Sequence, residues 1–231
     1  MLNKSFIAPH LARLTESRPR SRDVAGHGPS PVPSAGAAGP TVMADGLGEF
    51  YSHRPQPRAL TPMDVNREIK GVSDLTRPCW ASLPRRAGIS IEMQHELEPN
   101  LPRVWAEPVD FREALMNLIF NAVAALPRGG IITLVTRSLA PEAADPRPRV
   151  RIEVRDNGVG MDDQTRRRCL EPFFTARCQG VGLGLTLVRG VTQQLGGTIE
   201  IDSAPGCGAC VRLTLPVRNP SRPAPATPAS N

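Results

Sequence analysis

The sequence predicts an α+β domain over residues 60–217, with helices layered on one face of a mixed sheet. Three observations carry that expectation. Between 60 and 217 the apolar spacing switches repeatedly between three-and-four and strict alternation, some strand-like segments follow one another as hairpin neighbours do, and residues 17–40 and 218–231 hold almost no large apolar residue. At 231 residues and 40% hydrophobic content the chain suits one ordinary domain with unpacked flanks.

The flanks are read from composition. Residues 17–40 are Pro, Gly, Ser, Ala and Arg, too poor in apolar surface to offset the entropy of ordering, and the tail over 218–231 repeats the pattern; both are expected to be disordered. A short helix over 43–51 is expected at most as a fragment. The net charge of +6 lies almost wholly in these flanks: residues 60–217 hold 19 basic against 18 acidic side chains. That balance argues against a nucleic-acid module. No apolar run reaches the roughly 18 residues of a membrane helix and the first ten residues lack a secretory h-region, so the expectation is a cytoplasmic chain with no membrane span. Five cysteines without regular spacing fit reduced thiols, and Cys207 and Cys210, though spaced like a redox pair, stand alone at a turn.

The elements follow in order. Val65, Ile69, Val72 and Leu75 are spaced as the buried stripe of a helix over 64–77. Residues 89–93 read as a strand. The stretch 108–126 reads as a long helix, with Leu115, Leu118, Ala122, Val123 and Leu126 along one flank and Pro127 and Gly129-Gly130 closing it. Strands are expected over 131–137 and 149–155, the second alternating through Val150, Ile152 and Val154. A helix over 184–195, stopped by Gly196-Gly197, precedes a closing strand pair over 198–202 and 209–215.

Four polar clusters interrupt this scaffold. Asn117 and Asn121, four apart on the long helix, share a face and offer amide oxygens to a hard cation such as Mg²⁺; solvent-facing amides are the alternative. Asp156-Asn157-Gly158-Val159-Gly160 sets a carboxylate at a strand end beside open backbone, either an ordinary turn or a place for a flat ring whose exocyclic amine donates to Asp156. Glu171-Pro172-Phe173-Phe174-Thr175, among Arg166, Arg167, Arg168 and Arg177, suggests a loop that swings over a ligand, with at least one phenylalanine packed in the core. Gly180-Val181-Gly182-Leu183-Gly184-Leu185 leads straight into a helix, where bare N–H groups and the positive end of the dipole suit phosphate.

Taken in order, the stretches NLIFNAVAALPRGG, DNGVGM, EPFFTAR, GVGLGL and LGGTIEIDSAPGCGACVRLTLP resemble the histidine-kinase branch of the GHKL ATP-binding superfamily. The resemblance implies an α/β sandwich that binds ATP·Mg²⁺, with Asn121 as metal ligand and Asp156 on the adenine amine. Gly158 and Gly160 would line the base, and Gly180, Gly182 and Gly184 would hold phosphates beneath a mobile lid built on Phe173, Phe174 and Thr175. The lid departs from the usual Phe-Phe-Thr-Thr-Lys in Ala176 and Arg177, which keeps the positive charge. Hydrolysing relatives place a glutamate base where this chain has Asn117, and an amide takes no proton from water, so phosphotransfer is favoured over hydrolysis.

Such a kinase needs a helical hairpin carrying the phosphorylated histidine. His95 lies in HELEP, similar to a phosphoacceptor box, but falls inside the ATP domain and reads as a structural or solvated side chain. Residues 43–53 resemble a remnant of that hairpin, which is expected to be truncated or supplied by a partner; a dimer would then form only through that partner. The implied activity is γ-phosphate transfer to a histidine on a phosphoacceptor domain, coupled to a response regulator. A non-catalytic ATP-binding regulator and an anti-sigma-type serine kinase remain as alternatives.

Overall fold

The computed structural model describes residues 60–141, 147–175 and 182–217. The segments read above as disordered flanks, the fragment over 43–53, and Arg177, Cys178 and Gly180 lie outside them. In chain order the elements are β1 (Thr61–Met63), α1 (Val65–Arg77), α2 (Leu83–Arg86), β2 (Ile91–Leu97), β3 (Val104–Ala106) and α3 (Pro108–Ala124). They continue with β4 (Gly130–Leu139), β5 (Arg149–Asp156), α4 (Asp163–Arg168), α5 (Gly184–Gln194), β6 (Thr198–Ser203) and β7 (Ala209–Pro216).

Helix α1 starts where Asp64 caps it, its carboxylate accepting from the Arg67 N–H at 3.0 Å. Its buried stripe is Val65, Ile69, Val72 and Thr76; Leu75, expected there, is 50% exposed. At 100° per residue Thr76 falls about 20° from the line through Val65 while Leu75 falls about 80° away. The Thr76 hydroxyl is satisfied by donating to Val72 O at 2.8 Å, so the polar residue can be buried and the leucine left outside. Helix α3 has Pro108 in its first turn and Glu107 as cap, and buries Phe111, Ala114, Leu115, Leu118, Ile119 and Ala122.

Five strands form one sheet in the order β2-β4-β5-β7-β6, parallel between β2 and β4 and antiparallel elsewhere. Ile132, Leu134, Val150, Ile152, Val154, Leu213 and Leu215 project from one face into the core made with α1, α3 and α5. The opposite face carries Arg137, Arg155, Glu200 and Asp202, all exposed, so this is a two-layer α+β sandwich. β1 and β3 pair antiparallel as a separate two-stranded ribbon, Met63 opposite Val104. The buried Thr136 ties the layers together, donating to Asn66 Oδ1 at 2.9 Å and accepting from the Glu98 N–H at 3.0 Å.

His95 stands on β2 in register with Leu134, exposed at the rim of the helical face; desolvation holds its pKa below the ordinary imidazole value against the nearby Asp74. Among the described residues no helix is long and apolar enough to cross a membrane.

Ile119 is fully buried in α3, so Ile119→Ala should lower unfolding stability by about 2–5 kcal/mol, whereas Leu75→Ala should change it by under about 0.5 kcal/mol. Urea denaturation followed by circular dichroism checks both values.

Candidate functional site

The site assembles where α3 ends, β5 ends and α5 begins. Asn117 and Asn121 are half-buried and face the first residue of α5: a Cβ built on Gly184 would lie 3.1 Å from Asn117 Oδ1 and 3.8 Å from Asn121 Nδ2. The Asn117 amide donates to Glu113 O one turn back at 2.9 Å, which turns its oxygen toward Gly184. Leu183 occupies the cap position of α5, no side chain caps it, and no acid sits in its first turn. The positive end of that helix is therefore left for an outside anion.

The second wall is the loop after β5. Asp156 is half-buried, and its Oδ1 accepts from the Gly158 N–H at 2.9 Å, which folds the chain sharply at the strand end. The loop lies directly on the end of α3, where the Val159 N–H donates to Ala125 O at 2.9 Å. A side chain at Gly158 would put Cβ 2.2 Å from that same carbonyl, so only glycine permits the approach. Asn157 fastens the loop sideways by accepting from the Ile131 N–H at 2.8 Å. Gly160 closes the loop at φ +67°.

The third wall is the phenylalanine segment. Neither ring enters the core, contrary to the expectation for at least one: Phe173 is 62% exposed, and Phe174 is half-buried beneath Arg168, whose guanidinium carbon lies 4.5 Å from the ring centroid. Arg168 is free to cover the ring because it sits in the last turn of α4, a helix absent from the sequence reading, and is paired with Glu171 at 3.0 Å. Phe173 holds φ +64°, a strained conformation for a bulky residue, and its N–H donates to Gly182 O at 3.2 Å. That bond brings the phenylalanine segment to the start of α5, and Gly182 has no room for a side chain, since a Cβ would meet Phe173 C at 2.5 Å. Thr175 and Leu183 are exposed, and Leu185 is half-buried against the core.

Asn117 and Asn121 thus meet Gly184, Gly158 lies against the end of the same helix, and Gly182 is tied to Phe173 at the start of α5; Arg177 and Gly180 fall outside the described residues. Sequence reasoning missed Ala125, which acts through a main-chain carbonyl of the kind every residue carries, and gave no role to Asn157, whose side-chain oxygen holds the Ile131 N–H. An open groove of about 650 Å³ lies over the turn between β6 and β7, lined by Arg155, Asp156, Arg166, Asp202, Cys207 and Cys210 among others. It includes none of Asn117, Asn121 and Gly184.

Residues 106–219 match the family described as histidine kinase-, DNA gyrase B-, and HSP90-like ATPase. Within it, the chain is similar to the ATP-binding catalytic domain of sensor histidine kinases. It is 38% identical over 131 residues to the sensor histidine kinase ZraS of Klebsiella oxytoca, covering 57% of this chain and 27% of that protein. Sporulation kinase E of Bacillus subtilis is 30% identical over 158 residues, covering 68% and 21%. The chain thus spans about a quarter of the length of these relatives. Among solved structures, the catalytic domain of histidine kinase ThkA matches with a TM-score of 0.56 at 25% identity, covering 68% of this chain and 95% of that one. Full-length ShkA in complex with AMPPNP matches with a TM-score of 0.55 at 28% identity, covering 68% and 30%.

The cysteines differ in access. Cys207 is exposed, while burial raises the thiol pKa of Cys169 and Cys210. Iodoacetamide at neutral pH should therefore alkylate Cys207 well before Cys169 and Cys210, read by peptide mass spectrometry; equal labelling of all three would contradict their packing.

Proposed function

We propose that residues 60–217 form a unit that binds ATP·Mg²⁺ and transfers the γ-phosphate to a histidine of a phosphoacceptor domain, feeding a response regulator in the cytoplasm. The observation that carries this reading is the convergence of Asn117 and Asn121 on the uncapped amino end of α5. Amide oxygens are hard donors, and Mg²⁺ keeps several waters while leaning on phosphate oxygens, so a partial protein ligand set suits it. Asn121 is the assigned ligand. The bound ion would supply charge neutralisation of the phosphates. The chain's own groups do the rest.

Gly184 and Gly182 leave the first-turn N–H groups accessible to phosphate, and Leu185, packed against the core, anchors that turn. Asp156 accepts from the adenine amine while Gly158 and Gly160 let the ring lie against backbone. Phe173, Phe174 and Thr175 form the cover that excludes water from the transferring phosphate. Asn117, beside Gly184, has no carboxylate with which to activate water, so the phosphoryl group is kept for an incoming histidine nitrogen. That nitrogen must come in line at about 3–3.5 Å from phosphorus, and ADP leaves as the bond to the γ-phosphate breaks. His95 cannot be that acceptor, because it is built into β2 of the domain that holds the nucleotide. A phosphoacceptor hairpin on a partner or on another segment fills the role.

Asp156→Asn and Asn121→Ala should each weaken ATP·Mg²⁺ binding more than tenfold, the loss of one interaction worth about 1–3 kcal/mol, as read by titration with a fluorescent nucleotide. Wild-type affinity in both variants would overturn the assignment of the site. Transfer of label from γ-labelled ATP to an added phosphoacceptor hairpin, with the alkali-stable and acid-labile signature of phosphohistidine, tests the reaction itself.

Intrinsic ATP hydrolysis should be slow and should rise by about 10²–10⁴-fold in Asn117→Glu, which sets a carboxylate where a water could be deprotonated. Phosphate release measured at saturating ATP checks this; an unchanged rate in a variant that binds ATP would mean that no attacking water is positioned beside residue 117.

A further inference from the structure

We infer that Ser203 is a positioning residue for the adenine-facing loop, acting through the turn between β6 and β7; the inference rests on the assignment of Asp156 to the adenine amine. Ser203 ends β6, and its hydroxyl makes two bonds in opposite senses. It donates to Gly208 O at 2.7 Å and accepts from the Met161 N–H at 2.9 Å. One side chain therefore joins the far side of the turn to the end of the loop that begins at Asp156.

Two further observations make the turn a backing plate for that loop. The Gly206 N–H donates to Val159 O at 2.8 Å, a direct backbone bond across the same gap. The two segments also touch backbone to backbone: a Cβ on Gly160 would fall 2.0 Å from Ala204 O, and one on Gly208 would fall 1.9 Å from Asp156 O. With no side chains between them to absorb a shift, displacement of the turn passes directly to residues 156–160. Strand register adds the shortest route, because Ser203 pairs with Ala209 and Ala209 pairs with Asp156. Ser203 and the adenine-facing carboxylate are two rungs of one cross-strand row.

The chemistry demands a hydroxyl. Met161 N–H needs an acceptor and Gly208 O, in a buried residue, needs a donor, and serine or threonine supplies both from one atom. Alanine would leave both main-chain groups unmatched, so the turn and the loop would relax away from each other. Asp156 would then meet the adenine amine off its line, while Asn117, Asn121 and the start of α5, on the other side of the site, would be untouched.

The test compares ADP with inosine diphosphate, which carries an oxo group where adenine has its amine. Wild type is expected to prefer ADP. Ser203→Ala should weaken ADP binding about fivefold and lower the ADP-to-inosine-diphosphate preference by the same factor, with little change for inosine diphosphate. Ser203→Thr should restore both values, and Ser203→Cys, a weaker donor of similar shape, should fall in between and serves if the alanine variant fails to fold. Cys207→Ser, on the exposed surface of the same turn, should match wild type. A preference unchanged in Ser203→Ala, or an equal loss for both nucleotides, would overturn the inference and leave Ser203 a purely structural residue. A wild type that does not distinguish the two nucleotides would instead overturn the assignment of Asp156, and the inference with it.

Discussion

The hydrogen bond from the Val159 N–H to Ala125 O, at 2.9 Å, fixes the loop after β5 onto the last turn of α3. A helix leaves its final carbonyls without partners, and here one of them is used to hold another part of the site. Because Asn117 and Asn121 stand on the same helix, the residues assigned to metal and to base share one rigid support. The closeness of the bond requires glycine at 158, and it forces the sharp fold in which Asp156 accepts from the Gly158 N–H. Deeper down, α3 is itself held by the burial of Phe111, Leu115, Leu118 and Ile119 against the sheet and its neighbouring helices. Core packing and site geometry are thus two ends of one element.

The outer sheet face shows how a charged surface can still be closed. Glu153 projects from that face yet is only 4% exposed, accepting from Arg155 at 2.8 Å with Arg212 at 3.6 Å. Arg212 also bonds Asp202 on the next strand. Val135, opposite Glu153 in the register, is buried on the same face. On this face Arg212 thus links Glu153 and Asp202 across strands, while the excess positive charge of the chain belongs to the flanks.

Much of this was legible in the residues themselves. The helix at 108 is announced by its proline, the strand at 149 by clean alternation, and α1 by Asp64 followed by apolar residues three and four apart. Leu75 misled because spacing of three and four marks a broad stripe, and the hydroxyl of Thr76 could be satisfied inside the helix. β1 and β3 are three residues each and pair across a separation of more than 40 positions, so no local period reveals them. The π turn at Pro78–Ser82 follows from packing, with the Trp80 ring donating back to Ser73 O at 3.1 Å. In the site, glycines and amides advertised themselves by type and order. Ala125 and Ser203 did not, since a main-chain carbonyl belongs to every residue and a serine at a strand end is unremarkable in composition.

The sheet order carries a consequence for how the protein keeps apart from its own copies. β2 and β6 end the sheet, and an open edge invites another strand to add to it. Both edges are acidic, β2 through Glu92 and Glu96 and β6 through Glu200 and Asp202, all exposed. Among the described residues no further strand covers either edge, and two molecules approaching edge to edge would bring carboxylates toward carboxylates in every combination of edges, which disfavours such pairing.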